Sequence, residues 1–397
     1  MDQIVEPQTL PDTDHVAFTG ARSEFRSLVM RGALLELITL GFYRFWLATD
    51  MRRHLWANTS VGGDAVEYTG TAKELLIGFL FALAIMVPVY LVYFFIGLES
   101  ERLQAFSSIP LVLFFYLFAQ FAIYRARRYR LTRTIWRGVR FWMAGSGWSY
   151  AWRAGLWALL VMITLGVALP WYQAALERYK MRYTFYGNLP GRFDGTGWQF
   201  FKMASWVYFA IVAWIVLIVL CGYLWQPGIA LLILLALIGW PFAYAAYKAA
   251  EWRWWVSGIR FGEVRFESKL PASSLFGLYW KVIGWSTLFI FALSVWVGVV
   301  FGSFVAAMAV GGKMNPEDAA LVMQQVPALV LMALGYIVMA LAFGVVVRIY
   351  LRRDVWARVV SSVIVHNLSA AANVTAQGEL AGALGEGLAD SLDVGGF

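Results

Sequence analysis

Six stretches of this chain run for about twenty residues or more without a single Asp, Glu, Lys or Arg: Leu75–Leu98, Leu103–Tyr124, Ala154–Leu176, Met203–Tyr247, Val282–Gly312 and Ala319–Val347. A helix needs about 20 predominantly apolar residues to cross a bilayer. Hydrophobic residues make up 61% of the chain and charged residues 14%, against roughly 45–50% and about 25% in soluble domains. A water-soluble fold of this size cannot cover so much apolar surface, so lipid is the solvent for most of it.

Turn residues divide these runs. Gln226-Pro227-Gly228 splits Met203–Tyr247 into two helices, Asn315-Pro316 with Glu317 and Asp318 breaks the last pair, and Glu99 to Arg102 with Ser107 to Pro110 breaks the first. Those three turns contain only Arg102 and Lys313 among the basic residues, and the intervening segments hold most of the rest. The positive-inside rule then places the turns outside and the connections in the cytoplasm. The reading is an all-α integral membrane protein with about six transmembrane helices in three hairpins, plus repeated interfacial or re-entrant helices and small cytoplasmic strand-like segments. Both termini are expected in the cytoplasm of a bacterial inner (plasma) membrane.

A shift of 125 positions lays Ile38-Thr39-Leu40-Gly41 on Ile163-Thr164-Leu165-Gly166, Trp46 on Trp171, Gly62 on Gly187 and Gly70 on Gly195. The repeat signature is Thr39, Gly41, Trp46, Thr164, Gly166 and Trp171. A weaker echo aligns Trp136 to Phe141 with Val256 to Phe261, a shift of 120. The first copy carries Arg31, Glu36 and Arg44, each costly at a bilayer centre. Both copies are therefore expected at the cytoplasmic interface, with Gly41, Gly166 and Pro170 as breaks.

The segments follow as 1–17 disordered leader, 18–73 first interfacial repeat, 74–125 hairpin 1 and 126–153 basic segment. They continue as 154–202 second interfacial repeat, 203–247 hairpin 2, 248–281 connector, 282–347 hairpin 3 and 348–397 cytoplasmic tail. The leader has no Lys or Arg in its first fourteen residues, which excludes a signal peptide.

The elements Phe18-x-Gly20, Leu34-Leu35-x-x-Ile38-Thr39-Leu40-Gly41-x-Tyr43-x-x-Trp46, Asn58-Thr59, Tyr68-x-Gly70 and Arg133-Thr134-x-Trp136-Arg137-Gly138-Val139-Arg140-Phe141 resemble the YjgN-like family of bacterial inner-membrane proteins. Gly385 to Asp390 is similar to that family's ending. The resemblance implies location and architecture but no activity. Ala168 and Pro170 stand where Tyr43 and Phe45 stand in the first copy, so a role for the tyrosine does not carry over.

Arg125, Arg127, Arg128, Arg130, Arg133, Arg137 and Arg140 form the most basic stretch, interleaved with Tyr129, Trp136 and Phe141. They are candidate contacts for anionic lipid head groups, at about 1 kcal/mol each near the surface; the plainer reading is topology anchors. Glu36 is either a cation site or the paired polar face of an interfacial helix. Cys221 lies alone in an apolar run, which leaves no disulfide and an inert thiol. No metal-ligand spacing, nucleotide loop or hydrolase elbow occurs, so no metal, cofactor or enzymatic activity is expected.

The expected function is a transporter or channel for a neutral or lipidic solute, since internal repeats recur in transporters. The alternative is a membrane scaffold or lipid-interacting accessory of another inner-membrane protein. Membrane lipids are the expected partners, with a possible protein partner and no nucleic acid.

Overall fold

Four times the chain runs from a helix through a short two-stranded hairpin and back into a helix. Each hairpin turn contains glycine. Gly62-Gly63 and Arg137-Gly138 both hold positive φ (56° and 86°, 47° and 74°), while Gly187 (52°) and Gly262 (56°) hold it at the first turn position only. These are the two-residue turns whose twist matches flanking strands. Residues 13–99, 104–311 and 319–382 are described in this computed structural model.

Within them, β1 (Thr13–Phe18) leads to α1 (Arg22–Ile38) and α2 (Arg44–Ala57). The hairpin β2 (Thr59–Val61) and β3 (Asp64–Tyr68) leads to α3 (Ala72–Glu99) and α4 (Gln104–Thr132). Then come β4 (Thr134–Trp136), β5 (Val139–Met143), α5 (Gly147–Ile163), α6 (Leu169–Arg182), β6 (Thr184–Tyr186) and β7 (Leu189–Phe193). The chain continues through α7 (Gly197–Leu224), α8 (Pro227–Gly258), β8 (Ile259–Phe261), β9 (Val264–Ser268) and α9 (Phe276–Gly311). α10 (Ala319–Val347) passes through π-helical turns at Arg348–Asp354 into α11 (Val355–Val360), and β10 (Val363–His366) ends the described regular structure apart from a 3-10 turn.

The all-α expectation is overturned here. The ten strands close into one antiparallel barrel, in the order β1-β10-β9-β8-β7-β6-β5-β4-β3-β2. Closure depends on β1 pairing β10, with Asp14 opposite Val365 and His15 opposite Ile364. Residues 13–17, expected in a disordered leader, and 363–366, expected in a cytoplasmic tail, are therefore wall strands. Each strand is only three to six residues long, too short to carry a period-2 signal beside the long helices.

One face of every strand turns inward. Val16, Val66, Trp136, Phe141, Tyr186, Phe261 and Val365 join a single apolar cluster. The lumen is packed with rings: Tyr186 lies 5.5 Å from Trp136 and 4.7 Å from Phe141, which lies 5.7 Å from Phe261. The opposite face carries His15, Glu67, Arg140, Arg260 and Arg265, by the same registers. The 120-residue echo is also corrected. In the barrel β4-β5 matches β8-β9, so Val139-Arg140-Phe141 falls on Val264-Arg265-Phe266, back on the 125-residue shift.

Among the described residues five helices are long and apolar enough to cross a membrane: Ala72–Phe94, Gly197–Leu224, Pro227–Gly258, Phe276–Val300 and Leu329–Val360. The expected count of about six is not met. α4, which ends in Arg125, Arg127, Arg128 and Arg130, is not among the five. Every hairpin strand pair lies between helices that leave and return to the barrel, so the four hairpins gather at one end of the helices.

α1–α2 and α5–α6 are short hairpins, of 17 and 14 residues each. Their reversals are alike. Leu40 and Gly41 have φ of 51° and 90°, Leu165 and Gly166 of 49° and 92°. Thr39 Oγ1 donates to Leu35 O and accepts from Tyr43 N, as Thr164 does with Leu160 and Ala168. Leu40 and Leu165 stand 87% and 92% exposed at the tips, an apolar pair of points that suits hydrocarbon. The connection 100–103, with Arg102, and the turn 312–318, with Lys313, lie outside the described residues.

After β10, Asn367 takes a left-handed φ of 58° and the chain crosses the turn end of the barrel. Leu368 and Ala371 are buried in the barrel cluster. Thr375 N donates to Asn188 Oδ1 at 3.1 Å, and Arg133 donates to Ala381 O at 3.3 Å. The strap 368–382 thus covers the mouth and descends over the β4–β5 side. Gly385 to Asp390 lies beyond the described residues.

Candidate functional site: a charged funnel beneath the barrel

The helices that enter the barrel deliver charged side chains two turns before their strands begin. Arg52 on α2, Arg127 on α4 and Glu177 on α6 occupy that same position before Thr59, Thr134 and Thr184. Because the strands close into a ring, these positions converge beneath it.

Glu177 is the hub on one side. Arg127 donates to it at 2.9 Å, and Lys180, one turn on, also pairs with it. Both partners of that helical pair are about nine-tenths buried. Burial alone would raise the Glu177 carboxyl, but Lys180 and Arg127 reverse this and hold it at about 2. Burial pushes the Lys180 ammonium down, and Arg127 and Arg130 add to that against the pull of Glu177. One turn earlier on α6, Gln173 donates to Glu251 at 3.1 Å, and Glu251 accepts from Lys248 at 2.7 Å. Trp255 lies 6.0 Å from the Arg127 guanidinium.

On the other side three guanidinium groups meet at one cavity. Its walls include Arg52, Arg130 and Arg352 with Phe25, Leu55 and Trp56, and its volume is about 180 Å³. No carboxylate is among its described lining residues. Arg52 also donates to Tyr68 Oη at 3.3 Å. Trp56 stacks on Trp356 at 5.1 Å, and their indole N–H groups donate to Thr134 and Thr59 at 3.0 Å each. These bonds tie the cavity roof to the first residues of two strands. Arg352 comes from the π-helical turns, a departure that often marks function. In the same turns Arg348 binds Glu36 bidentately at 3.0 and 2.8 Å, with Glu36 3% exposed. That pair anchors α1 to the end of α10. No group of three or more His, Cys, Asp or Glu is placed to hold a metal among the described residues.

The arginines singled out in the sequence are divided by the structure. Arg127 and Arg130 face the funnel. Arg133 is 6% exposed and grips Glu74 at 2.6 and 3.1 Å, with Tyr129 donating to the same carboxylate. Arg137 sits at a hairpin tip, 2.5 Å from Asp64, and Arg140 donates to Thr132 O at 2.6 Å. Arg125 lies over the Phe121 ring, and Arg128 is half-buried. Among the repeat-signature residues, Thr39, Gly41, Thr164 and Gly166 build the reversals, Trp46 stacks on Tyr43, and Trp171 packs against Phe201. Arg52, Gln173, Glu177, Lys180, Lys248, Glu251 and Arg352 were not assigned to a site from the sequence. The available signal was the shared position of Arg52, Arg127 and Glu177 before their strands.

A β-barrel hub that gathers the charged ends of apolar helices defines an integral membrane protein of mixed architecture. The chain belongs to the family described as "Bacterial protein of unknown function (DUF898)", whose model matches residues 13–285. It is 25% identical over 166 residues to "Inner membrane protein YjgN" of Escherichia coli (strain K12), covering 42% of this chain and 40% of that protein. The chain thus aligns with less than half the length of that relative. No solved structure matches. The family, the relative and the five apolar helices together make this a membrane protein of the bacterial inner membrane.

Proposed function

We propose that the protein is a transporter or channel whose cargo is an anionic solute, lipidic ones included. The observation that carries this reading is the cavity walled by Arg52, Arg130 and Arg352 beneath the barrel. Guanidinium groups match carboxylate and phosphate bidentately, and Phe25, Leu55 and Trp56 supply an apolar wall beside them. These cations move the expected cargo from neutral to anionic. The ring-filled barrel and its strap shut the route at one end, so conduction requires the strap to lift. We place the barrel and both termini in the cytoplasm, because Arg and Lys crowd the helix–strand junctions.

Proteoliposomes loaded with carboxyfluorescein test this. The protein should release the dye faster than empty liposomes, Arg352→Gln should slow release about tenfold, and glucose should not pass. Anion flux no faster than in empty liposomes, together with a stably co-purifying membrane protein, would instead support a scaffold.

A further inference from the structure

A second cavity lies outside the barrel, between its wall and the start of α9. Its volume is about 510 Å³, and His15, Lys269, Ser274, Arg358, Ser361 and Ser362 supply its polar lining. Here too no carboxylate is among the described lining residues, and neither Lys269 nor Arg358 has an ion pair among the described residues. The wall is built rather than incidental. Ser268 and Ser362 share a hydrogen bond of 2.9 Å between their hydroxyls, and Lys269 N donates to Ser362 O at 2.9 Å. These bonds fix the strand end against the last turn of α11.

Its height relative to the bilayer follows from the helices that border it. Ser274 stands just before Phe276, where one candidate span begins, and Arg358 lies on the charged continuation of another, past the end of its apolar run at Val347. The cavity therefore lies on the basic side of both spans, beside the end of α9 that leads into the apolar layer. α9 continues from it into the apolar layer with Trp285, Leu288, Phe291 and Val295 exposed at helical spacing.

The 125-residue register shows that this cavity is not a general feature of the barrel. Thr19 and Ala144 occupy the place of Lys269, and α1 and α5 start at Arg22 and Gly147, soon after their strands. After β9 the chain instead makes a turn through Pro271–Leu275 before α9 begins, and that delay opens the space.

We propose that this cavity is a phospholipid site, in which Lys269, Arg358 and His15 hold an anionic head-group phosphate and the acyl chains lie along α9. The cations provide charge and donors, Ser274 and Ser361 provide further hydroxyls, and Leu270 and Ile364 shield one side from water. The site does not depend on transport through the funnel.

Native mass spectrometry of the detergent-purified full chain tests this, with phosphatidylglycerol, phosphatidylcholine and inorganic phosphate as probes. Phosphatidylglycerol should be retained well above phosphatidylcholine. At about 1 kcal/mol per basic residue near the surface, Lys269→Gln with Arg358→Gln should lower retention about thirtyfold. Lys269→Arg with Arg358→Lys should restore it. Arg192→Gln with Arg265→Gln, on the barrel's outer face, should change it less than twofold. Equal retention of phosphatidylcholine, or equal losses in the two Gln pairs, would overturn the assignment. Displacement of phosphatidylglycerol by inorganic phosphate at equal concentration would make it a free-phosphate site and overturn the lipid.

Discussion

Replacing Glu177 by Gln removes the carboxylate that pairs with both Lys180 and Arg127 in their buried cluster. The size of the effect can be reached by two routes. Breaking a buried pair by deleting one partner costs about 3–5 kcal/mol, because the other charge is left uncompensated. Holding the carboxyl at about 2, against an ordinary value near 4.3, corresponds to roughly 3 kcal/mol. The two agree at the lower end, so a loss of about 3 kcal/mol is expected. Equilibrium unfolding in mixed micelles, followed by tryptophan fluorescence, measures it. Adding Lys180→Met to Glu177→Gln should recover about half of the loss, since one of the two stranded cations is removed. The pH dependence has a fixed sign. A depressed carboxyl contributes fully above about 4.3 and loses its contribution as pH falls to about 2. The native protein should therefore weaken across that window, and Glu177→Gln should lack that component. A change under about 0.5 kcal/mol in Glu177→Gln would refute the placement of this cluster in a buried funnel.

Other consequences follow from the same structure. Leu165→Asp at a 92% exposed tip should lower membrane insertion by about 2.5–3.5 kcal/mol if the tip lies in hydrocarbon, read by the inserted fraction in a translocation assay. Gly187→Ala should loosen the strap, because a β-carbon there collides with the Thr375 carbonyl; limited proteolysis should then cut after residue 368 several-fold faster. Glu36→Ala strands Arg348, whose side chain is 20% exposed, and should cost about 3 kcal/mol, the lower end for a buried pair, visible as a lower thermal midpoint in detergent.

The apolar helices were legible because their signal is long and local: twenty residues without charge are hard to fold otherwise. The reversals at Thr39-Leu40-Gly41 and Thr164-Leu165-Gly166 were legible because glycine at positive φ marks a break and the motif occurs twice. The barrel was not. Its strands are three to six residues, and β1 finds its partner β10 across nearly the whole chain, so nothing local announces closure. The turn dipeptides Gly62-Gly63, Arg137-Gly138, Gly187-Asn188 and Gly262-Glu263 were the readable trace, and the 120-residue alignment concealed it by pairing Gly138 with Gly258 instead of with Glu263. The funnel stayed hidden for the same reason. Arg52, Glu177 and Arg352 are unremarkable in their own helices and become neighbours of Arg127 and Arg130 only when the ring closes.

Closure of that ring is most directly tested by paired cysteines across its two ends, in a chain whose single Cys221 is replaced by Ser. His15 with Ile364 joins β1 to β10, and Ala17 with Ser60 joins β1 to β2, each as directly opposed residues within reach of a disulfide. Both pairs should cross-link rapidly under mild oxidation in membranes. Cross-linking of Ala17 with Ser60 while His15 with Ile364 stays reduced would mean that the strands form an open sheet, and the converging funnel would go with it.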